Sequence, residues 1–456
     1  MKIWKKMIVL FTAIACVLSG IFINTVPVKA DVYWPEGPEI TTESAIIMEA
    51  STGTVLYEKN GDMQGYPASI TKIMTALLAI ENGNLDDVVE FSEGAVYNTE
   101  GSSIVRDVGE HLSLKDCLYS LMLASANDSA YAIAEHVGGD FDTFVAMMND
   151  RAAKLGCTNT NFVNPHGLHD ENHYTSVRDM ALIAREAWKN ETFRMFAGTK
   201  VYDLPPTEKH PEELTMQNHH AMLYPFRTSQ YLYDYCLGGK TGFTTDSGNT
   251  LVTYAQKNGM TLICVVMRTV APGHYVDTTA LLNYCFDNFK LVNVAENEGA
   301  ESFSDKTGSF NTDEEYLQID KKANIILPAT AAFSDVQTKL LEGNQDSSVV
   351  GTLQYTYGEH AVGTADIVLT GASTEIYPFG NIQELTGESG AAGSDNLPAG
   401  TNMRPPVKSF PIKIVLVIVI AAAAVLVIYL IYKKMKKPKF QYIKDNYRKK
   451  WKNRRK

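Results

Sequence analysis

The spacing of apolar residues changes twice along the first 290 residues, and this limits the chain to a mixed fold. "ESAIIMEASTGTVLYEKN" alternates apolar and polar residues around a turn at 51–53, which predicts two strands. Apolar residues then recur at helical spacing from 70 to 78, and "NGN" ends the run. Further helices are predicted at 114–123, 129–137, 141–155 and 178–189.

Strand spacing returns near position 235. "CLGGKTGFT", "NTLVTYAQ" and "MTLICVVMRT" predict successive antiparallel strands, and 277–289 predicts a closing helix. The order of strands, helices, strands and helix indicates an α+β domain over residues 31–290. We expect its N-terminal and C-terminal parts to meet in one antiparallel sheet flanked by helices.

The remaining chain changes character twice. Short alternating runs in residues 291–375, such as "NIILP" and "ADIVLTG", predict a small all-β domain. Residues 376–411 are rich in Gly, Ser, Asn and Pro, which is typical of a flexible linker.

Both ends of the chain carry apolar blocks. Residues 1–30 have a basic start, an apolar stretch and "VKA", which predicts a secretory signal peptide cleaved after Ala30. Lipid attachment at Cys16 is a weaker alternative. Residues 412–432 predict a single transmembrane helix, because 19 of them in succession carry no charge. The tail, 433–456, has 13 Lys or Arg and one Asp, which places it in the cytoplasm by the positive-inside rule.

Charge separates the body from the tail. The whole chain carries −11 and the tail +12, and residues 31–432 carry −27. An acidic body is a poor candidate for binding nucleic acid. Nucleic-acid binding by the tail is a rival interpretation, but a basic run beside a membrane span usually meets anionic lipid. The five cysteines after position 30 are predicted to be mostly buried apolar residues, with one disulfide as an alternative.

Three short motifs could carry chemistry. Ser69 and Lys72 form S-x-x-K, and a lysine one helical turn from a serine can reach its hydroxyl. Ser125 and Asn127 form S-x-N before a predicted helix, and Lys240 begins K-T-G at the edge of a predicted strand. Each motif alone is weak, since a helix start, a cap or a turn would explain it. Their order and spacing, 56 and then 115 positions, make one set.

On these motifs the chain resembles a low-molecular-mass penicillin-binding protein, a D-alanyl-D-alanine carboxypeptidase of the serine peptidase type. The resemblance covers about residues 38–375 and includes "PASITKIMTA", "FVNPHGLHDENHYTSVRDMALIA" and "GGKTGFTTDSGNTLV". It implies a serine β-lactamase/DD-peptidase-like catalytic domain. It also implies a substrate, the peptidoglycan stem peptide ending in D-Ala-D-Ala, with β-lactam antibiotics as covalent inhibitors and no cofactor or metal.

The resemblance assigns catalytic roles residue by residue. Ser69 would be the acylated nucleophile and Lys72 would take its proton. Ser125 would relay a proton to the leaving D-alanine, and Asn127 would hold the substrate peptide and Lys72.

The resemblance also implies a substrate-binding strand. Lys240 would bind the terminal carboxylate and keep Lys72 neutral, and Thr241 would hydrogen-bond that carboxylate. Gly242 completes the triplet. The backbone N–H groups of Ser69 and Phe243 would form the oxyanion hole.

Some members of the family have an arginine after the next hairpin as a second carboxylate contact. The candidates at that place in this chain are Arg268 and His274. A second Lys-Thr-Gly, at Lys306, lacks upstream partner motifs in its own domain and is interpreted as a chance turn.

Other functions are weighed against this one. His166, His169 and His173 have metal-like spacing but lie in a Pro- and Gly-rich loop without an H-E-x-x-H helix. A β-lactamase is an alternative, although Glu213 lacks the E-x-x-L-N context of a deacylating base. A non-catalytic wall-binding protein with the same fold is another alternative. His219 and His220 are expected on a surface loop.

Overall fold

The computed structural model describes residues 33–298, 317–342 and 349–369 of the 456-residue chain. The predicted signal peptide, the second Lys-Thr-Gly, the linker, the predicted membrane span and the basic tail all lie outside these residues. Among the residues described, no helix combines the length and the apolar character needed to cross a bilayer.

The strands and helices follow the predicted order, but two short strand pairs that the sequence did not predict lie among the helices. The strands are β1 (Ser44–Glu49), β2 (Val55–Lys59), β3 (Val88–Phe91), β4 (Glu110–Ser113), β5 (Val201–Leu204), β6 (Leu214–Gln217), β7 (Cys236–Thr244), β8 (Gly248–Lys257), β9 (Met260–Thr269), β10 (Phe289–Asn293), β11 (Leu317–Ile319), β12 (Asn324–Pro328), β13 (Gln337–Glu342), β14 (Val349–Tyr357) and β15 (His360–Leu369). The α-helices are α1 (Lys72–Asn82), α2 (Glu93–Tyr97), α3 (Leu114–Tyr119), α4 (Asn127–Gly138), α5 (Phe141–Lys154), α6 (Val177–Lys189), α7 (Glu191–Gly198), α8 (Gly273–Asn288) and α9 (Val294–Asn297).

A five-stranded antiparallel sheet joins the two ends of the first 290 residues. Its order is β2-β1-β9-β8-β7, so the N-terminal strands pair with the strands that follow the helices. In that register Ile47 lies opposite Cys264. The prediction of an α+β fold with one shared sheet is confirmed, and β7, which carries the first Lys-Thr-Gly, is an edge strand.

The sheet separates two apolar cores, and β9 shows why. Its side chains alternate between the faces, as successive residues of a strand must. Ile263 and Val265 join the core shared with α1 and α4, whereas Leu262 and Cys264 join the core that packs on α8. The sheet therefore packs against helices on one face and against α8 on the other.

The ends of the helices differ from the sequence prediction. Helix α1 begins at Lys72, and Ser69 lies in a single 3-10 turn, Ala68–Thr71, just before it. The helix predicted at 114–123 is α3 followed by a π-helical turn, Ser120–Ala124. Helix α8 starts four residues before its predicted start at 277. Apolar spacing shows where a helix packs, but local backbone geometry decides where it starts.

The strands after α8 form two further sheets. Strand β10 pairs with β12, and β11-β15-β14-β13 form a four-stranded antiparallel sheet with its own apolar core. Trp34 stacks on His360 at 3.9 Å between ring centroids. All five cysteines in the described residues are free thiols, and Cys117, Cys264 and Cys285 are buried.

Candidate active site

The turn that carries Ser69 is fixed from two sides. Ala68 has a positive φ of 51°, which turns the chain into α1. Thr250 on β8 donates a hydrogen bond to the Pro67 carbonyl at 2.8 Å. Ser69 is half-buried beside β7, where a side chain at Gly242 would lie 2.8 Å from the Ser69 backbone nitrogen. Only glycine at 242 allows this close approach.

Lys72 lies at the start of α1 with its side chain fully buried. Its Nζ is 3.0 Å from Ser69 Oγ, 2.6 Å from Asn127 Oδ1 and 2.5 Å from the His166 carbonyl oxygen. A neutral amine has two hydrogens and one lone pair. If the hydrogens point to Asn127 and His166, the lone pair is left for the hydroxyl of Ser69.

The charge state of Lys72 follows from its surroundings. Burial lowers the pKa of Lys72 well below its ordinary value, and the positive charge of Lys240 lowers it further, while Asp128 acts in the opposite direction. The amine is therefore held in the form that can accept a proton from Ser69.

The second motif lies at the junction between the π-helical turn and α4. Ser125 has a left-handed backbone with φ 59°, and Asn127 is the first residue of α4. The Asn127 backbone N–H donates to Ser102 at 2.7 Å and its Nδ2 donates to the Glu100 carbonyl at 2.5 Å. These bonds fix the loop above the site and turn Oδ1 toward Lys72.

The third motif lies in the middle of β7, whereas the sequence predicted it at the end of a strand. Lys240 is 1% exposed, and its Nζ donates to Ser125 Oγ and to the Thr241 carbonyl, each at 2.9 Å. Burial lowers the pKa of Lys240 to about 7. The three motifs thus meet in one place, and Ser125 and Asn127 each bond one of the two lysines.

A cleft of about 530 Å³ opens over this cluster. Ser69, Ser125, Thr241, Gly242 and Phe243 contribute to its lining. Phe243 is 65% exposed and stands at the rim. The cleft has room for a short peptide or a small bicyclic ligand beside Ser69.

Several lining residues were missed in the sequence. Arg227 and His219 border the cleft, although His219 was expected on a surface loop. His274, one of the two candidates that the sequence offered for a second carboxylate contact, borders the cleft as well. His220, expected there too, is 1% exposed and packs behind β7 against Thr253. The signal available in the sequence was the segment "YPFRTSQYLYDY", which places an arginine among aromatic residues shortly before the Lys-Thr-Gly strand.

The loop that carries His166, His169 and His173 forms hydrogen bonds within the protein. His173 Nδ1 accepts a hydrogen bond from Val163 at 3.1 Å, so its Nε2 donates to Thr71 Oγ1 at 2.9 Å. Burial lowers the pKa of His173 to about 3 and that of His166 well below its ordinary value. Because His166 offers its carbonyl to Lys72, the loop contributes backbone to the site.

Ligand atoms that could hold a metal converge elsewhere in the described residues, at Asp107, Glu110 and His210. Arg106 is paired with Glu110 at 3.1 Å in the same cluster. The arginine supplies the positive charge that an ion would supply, so the cluster is explained as an ion-pair network. Glu213 is exposed and does not line the cleft.

The arrangement supports acyl transfer. It has a hydroxyl within hydrogen-bonding distance of an amine whose pKa burial lowers, and backbone N–H groups at the turn and the adjoining edge strand.

Comparison with known proteins gives a family match. A profile described as D-alanyl-D-alanine carboxypeptidase matches residues 31–270. The chain is 35% identical over 256 residues to D-alanyl-D-alanine carboxypeptidase DacF of Bacillus subtilis, a match covering 54% of this chain and 63% of that protein. It is 32% identical over 271 residues to DacA of Haemophilus influenzae, covering 57% and 65%. The matches thus span less than two thirds of these two relatives.

Solved structures give the same fold. Penicillin-binding protein 5 from Haemophilus influenzae is similar with a TM-score of 0.58 and 26% identity, over 74% of this chain and 98% of that one. A mutant of Streptomyces K15 DD-transpeptidase is similar with a TM-score of 0.51 and 32% identity, over 55% and 99%.

Proposed function

The chain belongs to the D-alanyl-D-alanine carboxypeptidase family, and on that premise we propose that it removes the terminal D-alanine from peptidoglycan stem pentapeptides. The observation that carries the proposal is the contact between a desolvated Lys72 and Ser69, closed in by Asn127. β-Lactams would acylate the same serine.

Acylation begins at Ser69. Its Oγ attacks the carbonyl carbon of the D-Ala–D-Ala bond while its proton passes to Nζ of Lys72, 3.0 Å away. Lys72 accepts the proton because burial and the charge of Lys240 favour the neutral amine. The carbonyl oxygen becomes an oxyanion, for which the N–H groups of Ser69 and Phe243 are the donors we assign.

The intermediate then loses the terminal D-alanine. Ser125 would relay to the leaving nitrogen the proton that Lys72 took from Ser69, so that Lys72 becomes a neutral amine again. The hydrogen bond of 2.9 Å from Lys240 to the Ser125 hydroxyl would hold that hydroxyl in place. The C–N bond breaks and an ester on Ser69 remains. Water attacks the ester with Lys72 as base, releasing the shortened peptide and restoring Ser69.

Substrate binding would use the edge strand. The peptide would lie along β7 with Asn127 on its other side. Thr241 would bind the terminal carboxylate beside the positive end of Lys240, and Gly242 would keep the backbone contact short.

The function is tested with the full chain. A fluorescent penicillin should label the wild type, and the label should be absent from Ser69→Ala. A muramyl pentapeptide should release D-alanine with the wild type alone. Equal labelling of both proteins would contradict the proposal.

The same measurements separate the alternatives. Rapid turnover of penicillin, in place of a persistent adduct, would indicate a β-lactamase. Labelling without release of D-alanine would favour a non-catalytic wall-binding protein.

We also propose the envelope architecture predicted above. Residues 1–30 would be removed on export, and the catalytic and β-rich domains would lie outside the cell. Residues 412–432 would span the membrane, and 433–456 would stay in the cytoplasm. A tag fused after Lys456 should be digested by protease only in permeabilised cells. Digestion in intact cells would contradict this topology.

A further inference from the structure

One buried carboxylate holds the segment that lies beside the second motif. Asp128, the second residue of α4, is 2% exposed. Its Oδ2 accepts hydrogen bonds from Ser103 Oγ at 2.7 Å and from the backbone N–H groups of Ile104 and Val105 at 3.2 and 3.1 Å. Its Oδ1 accepts the Ser129 N–H of the same helix at 2.8 Å. A single side chain therefore joins the start of α4 to three successive residues of the segment between α2 and β4. Residues 102–105 of that segment are called the covering loop below.

Asp128 has no cationic partner. The ion pairs among the described residues do not include it. Each of its contacts is an O–H or N–H donor, and such donors suit an ionised carboxylate. Cys117 of α3 faces it, but burial raises the pKa of that thiol well above its ordinary value, so the thiol is neutral. Burying a charge costs free energy, and the bonds from the covering loop offset that cost only while the loop stays on α4.

The backbone of the covering loop depends on contacts from outside its own residues. Val105 has a φ of 54°, and its side chain is 72% exposed. A β-branched residue is strained in the left-handed region, and an exposed side chain gains little packing to offset the strain. Ser103 Oγ accepts the Val105 N–H at 2.8 Å and donates to Asp128. The bonds that stabilise this conformation therefore lead back to Asp128.

The covering loop adjoins the catalytic groups. The Ser102 carbonyl accepts the Asn127 N–H at 2.7 Å, and Ser102 lines the cleft. The Glu100 carbonyl, just before the loop, accepts Asn127 Nδ2 at 2.5 Å. Asn127 Oδ1 in turn contacts Lys72 Nζ at 2.6 Å. A displaced loop would remove the acceptors that orient the Asn127 amide, and the contact with Lys72 would be lost with them.

We propose that Asp128 is a positioning residue of the reaction, which holds the covering loop on α4 and thereby keeps Asn127 against Lys72. The proposal rests on the proposed function, because the step that it serves is the acylation of Ser69. Asp128 acts through its neighbours: its partners are the loop and the start of α4.

The charge of Asp128 gives this role a signature that packing alone would not give. Of the charged groups that face Lys72, Asp128 on α4 raises its pKa and Lys240 on β7 lowers it. His166 and His173, on the loop between α5 and α6, have pKa values lowered by burial and are neutral at pH 7. Burial alone lowers the pKa of Lys240, to about 7. Replacing the carboxylate by an amide should therefore lower the pKa of Lys72 without a direct effect on Lys240.

The first test measures acylation of the full-length protein by a fluorescent penicillin across the acid limb and the plateau of the pH profile. Asp128→Asn should lower the plateau rate constant roughly tenfold, the loss expected for hydrogen bonds to a charged acceptor. Its acid limb should move to lower pH, because an amine with a lower pKa stays neutral at lower pH. In an Asn127→Asp background, where a carboxylate beside Lys72 raises the limb, Asp128→Asn should move the limb down in the same way.

Two variants serve as controls. Ser103→Ala removes one donor to Asp128 and no charge, so it should lower the plateau by less and leave the acid limb in place. Asp140→Asn changes the exposed N-cap of α5, whose carboxylate accepts the Thr143 N–H at 2.7 Å. It makes the same chemical change at another helix start and should match the wild type in plateau and limb.

A second test, amide hydrogen exchange, examines the contact without any reaction. The N–H groups of Ile104 and Val105 are bonded to Asp128, so Asp128→Asn should speed their exchange roughly tenfold or more. Asp140→Asn should leave both unchanged. If Asp128→Asn does not fold, Ser103→Ala should still speed exchange at Val105, which loses its bond to the serine hydroxyl.

Three results would overturn the proposal. Unchanged exchange at Ile104 and Val105 would remove the contact with the loop. A plateau equal to that of the wild type would show that the contact does not serve the reaction. A lower plateau with an unmoved acid limb would reduce Asp128 to a structural residue. A wild type that penicillin does not label would contradict the proposed function, and the exchange measurement would still decide whether Asp128 holds the loop.

Discussion

Replacing Asn127 by Asp tests whether Lys72 acts as a neutral amine. Asn127 Oδ1 lies 2.6 Å from Lys72 Nζ, so the variant sets a negative charge against the amine with little change of shape. At an effective dielectric constant of about 20 the attraction between such charges is roughly 6 kcal/mol. Burying the new carboxylate offsets part of this attraction, and we expect the remainder to raise the pKa of Lys72.

The sign of the effect on activity follows from which form of Lys72 reacts. The amine accepts a proton only above its pKa, so a higher pKa moves the acid limb of the pH profile upward. Acylation by a fluorescent penicillin should therefore fall about 10- to 1000-fold at any pH on the acid limb, because a residual attraction of about 1–4 kcal/mol disfavours the neutral amine by that factor. It should recover at higher pH. The measurement is the second-order rate constant from pH 6 to pH 10.

Asn127→Ala is the matched control. Like the Asp variant it loses the bond from Nδ2 to the Glu100 carbonyl, but it adds no charge. Asn127→Ala should lower the acylation rate constant at every pH. Its acid limb should stay at the pH of the wild type. If the acid limbs of the Asp and Ala variants coincide, Lys72 is not the neutral base and the reasoning fails.

Three further predictions follow from particular contacts. Lys240→Ala should abolish most acylation, whereas Lys306→Ala, in the other Lys-Thr-Gly, should stay within a small factor of the wild type. Gly167→Ala should lower acylation about 100-fold, since its Cβ would overlap the turn before α1 and lie 3.0 Å from the backbone nitrogen of the nucleophile. Gly156→Ala, with the same left-handed backbone but open space, should lose only stability. Burial would raise the pKa of Glu110, but hydrogen bonds to its carboxylate lower that pKa to about 2. The stabilisation that ionised Glu110 gives the fold is therefore complete above about pH 4.5 and is lost as the pH falls through 2. Glu110→Gln should therefore lower the Tm at pH 7, and by less near pH 2.

The order of elements could be predicted because packing leaves a strong pattern. Alternation in β9 and helical spacing in α1 each record which side chains face a core, and both were interpreted correctly. The starts of several helices could not be predicted, although β7 and β9 begin where the sequence placed them. Ser69 precedes its helix because Ala68 has a left-handed backbone, which apolar spacing does not encode.

The residues of the site also divide into those that the sequence reveals and those that only the structure reveals. The motif residues are visible in the sequence because their side chains carry the chemistry. His166 contributes its carbonyl oxygen to Lys72, and any residue has a carbonyl, so no residue type reveals it. Arg227 was missed because its place depends on how the loop before β7 packs on α8.

The charge of buried Lys240 affects the pKa of buried Lys72. A carboxylate bound beside Lys240 would therefore also influence the protonation of Lys72. Burial lowers the pKa of Lys240 to about 7, so its charge at neutral pH depends on the groups beside it. A carboxylate bound beside it would raise that pKa and complete the charge. The positive charge of Lys240 is one cause of the low pKa of Lys72, so a fully charged Lys240 would press Lys72 further toward the neutral amine. A ligand with the right anionic group would therefore favour the neutral form of Lys72, which accepts the proton of Ser69, and a ligand without that group would be both weakly held and slowly acylated.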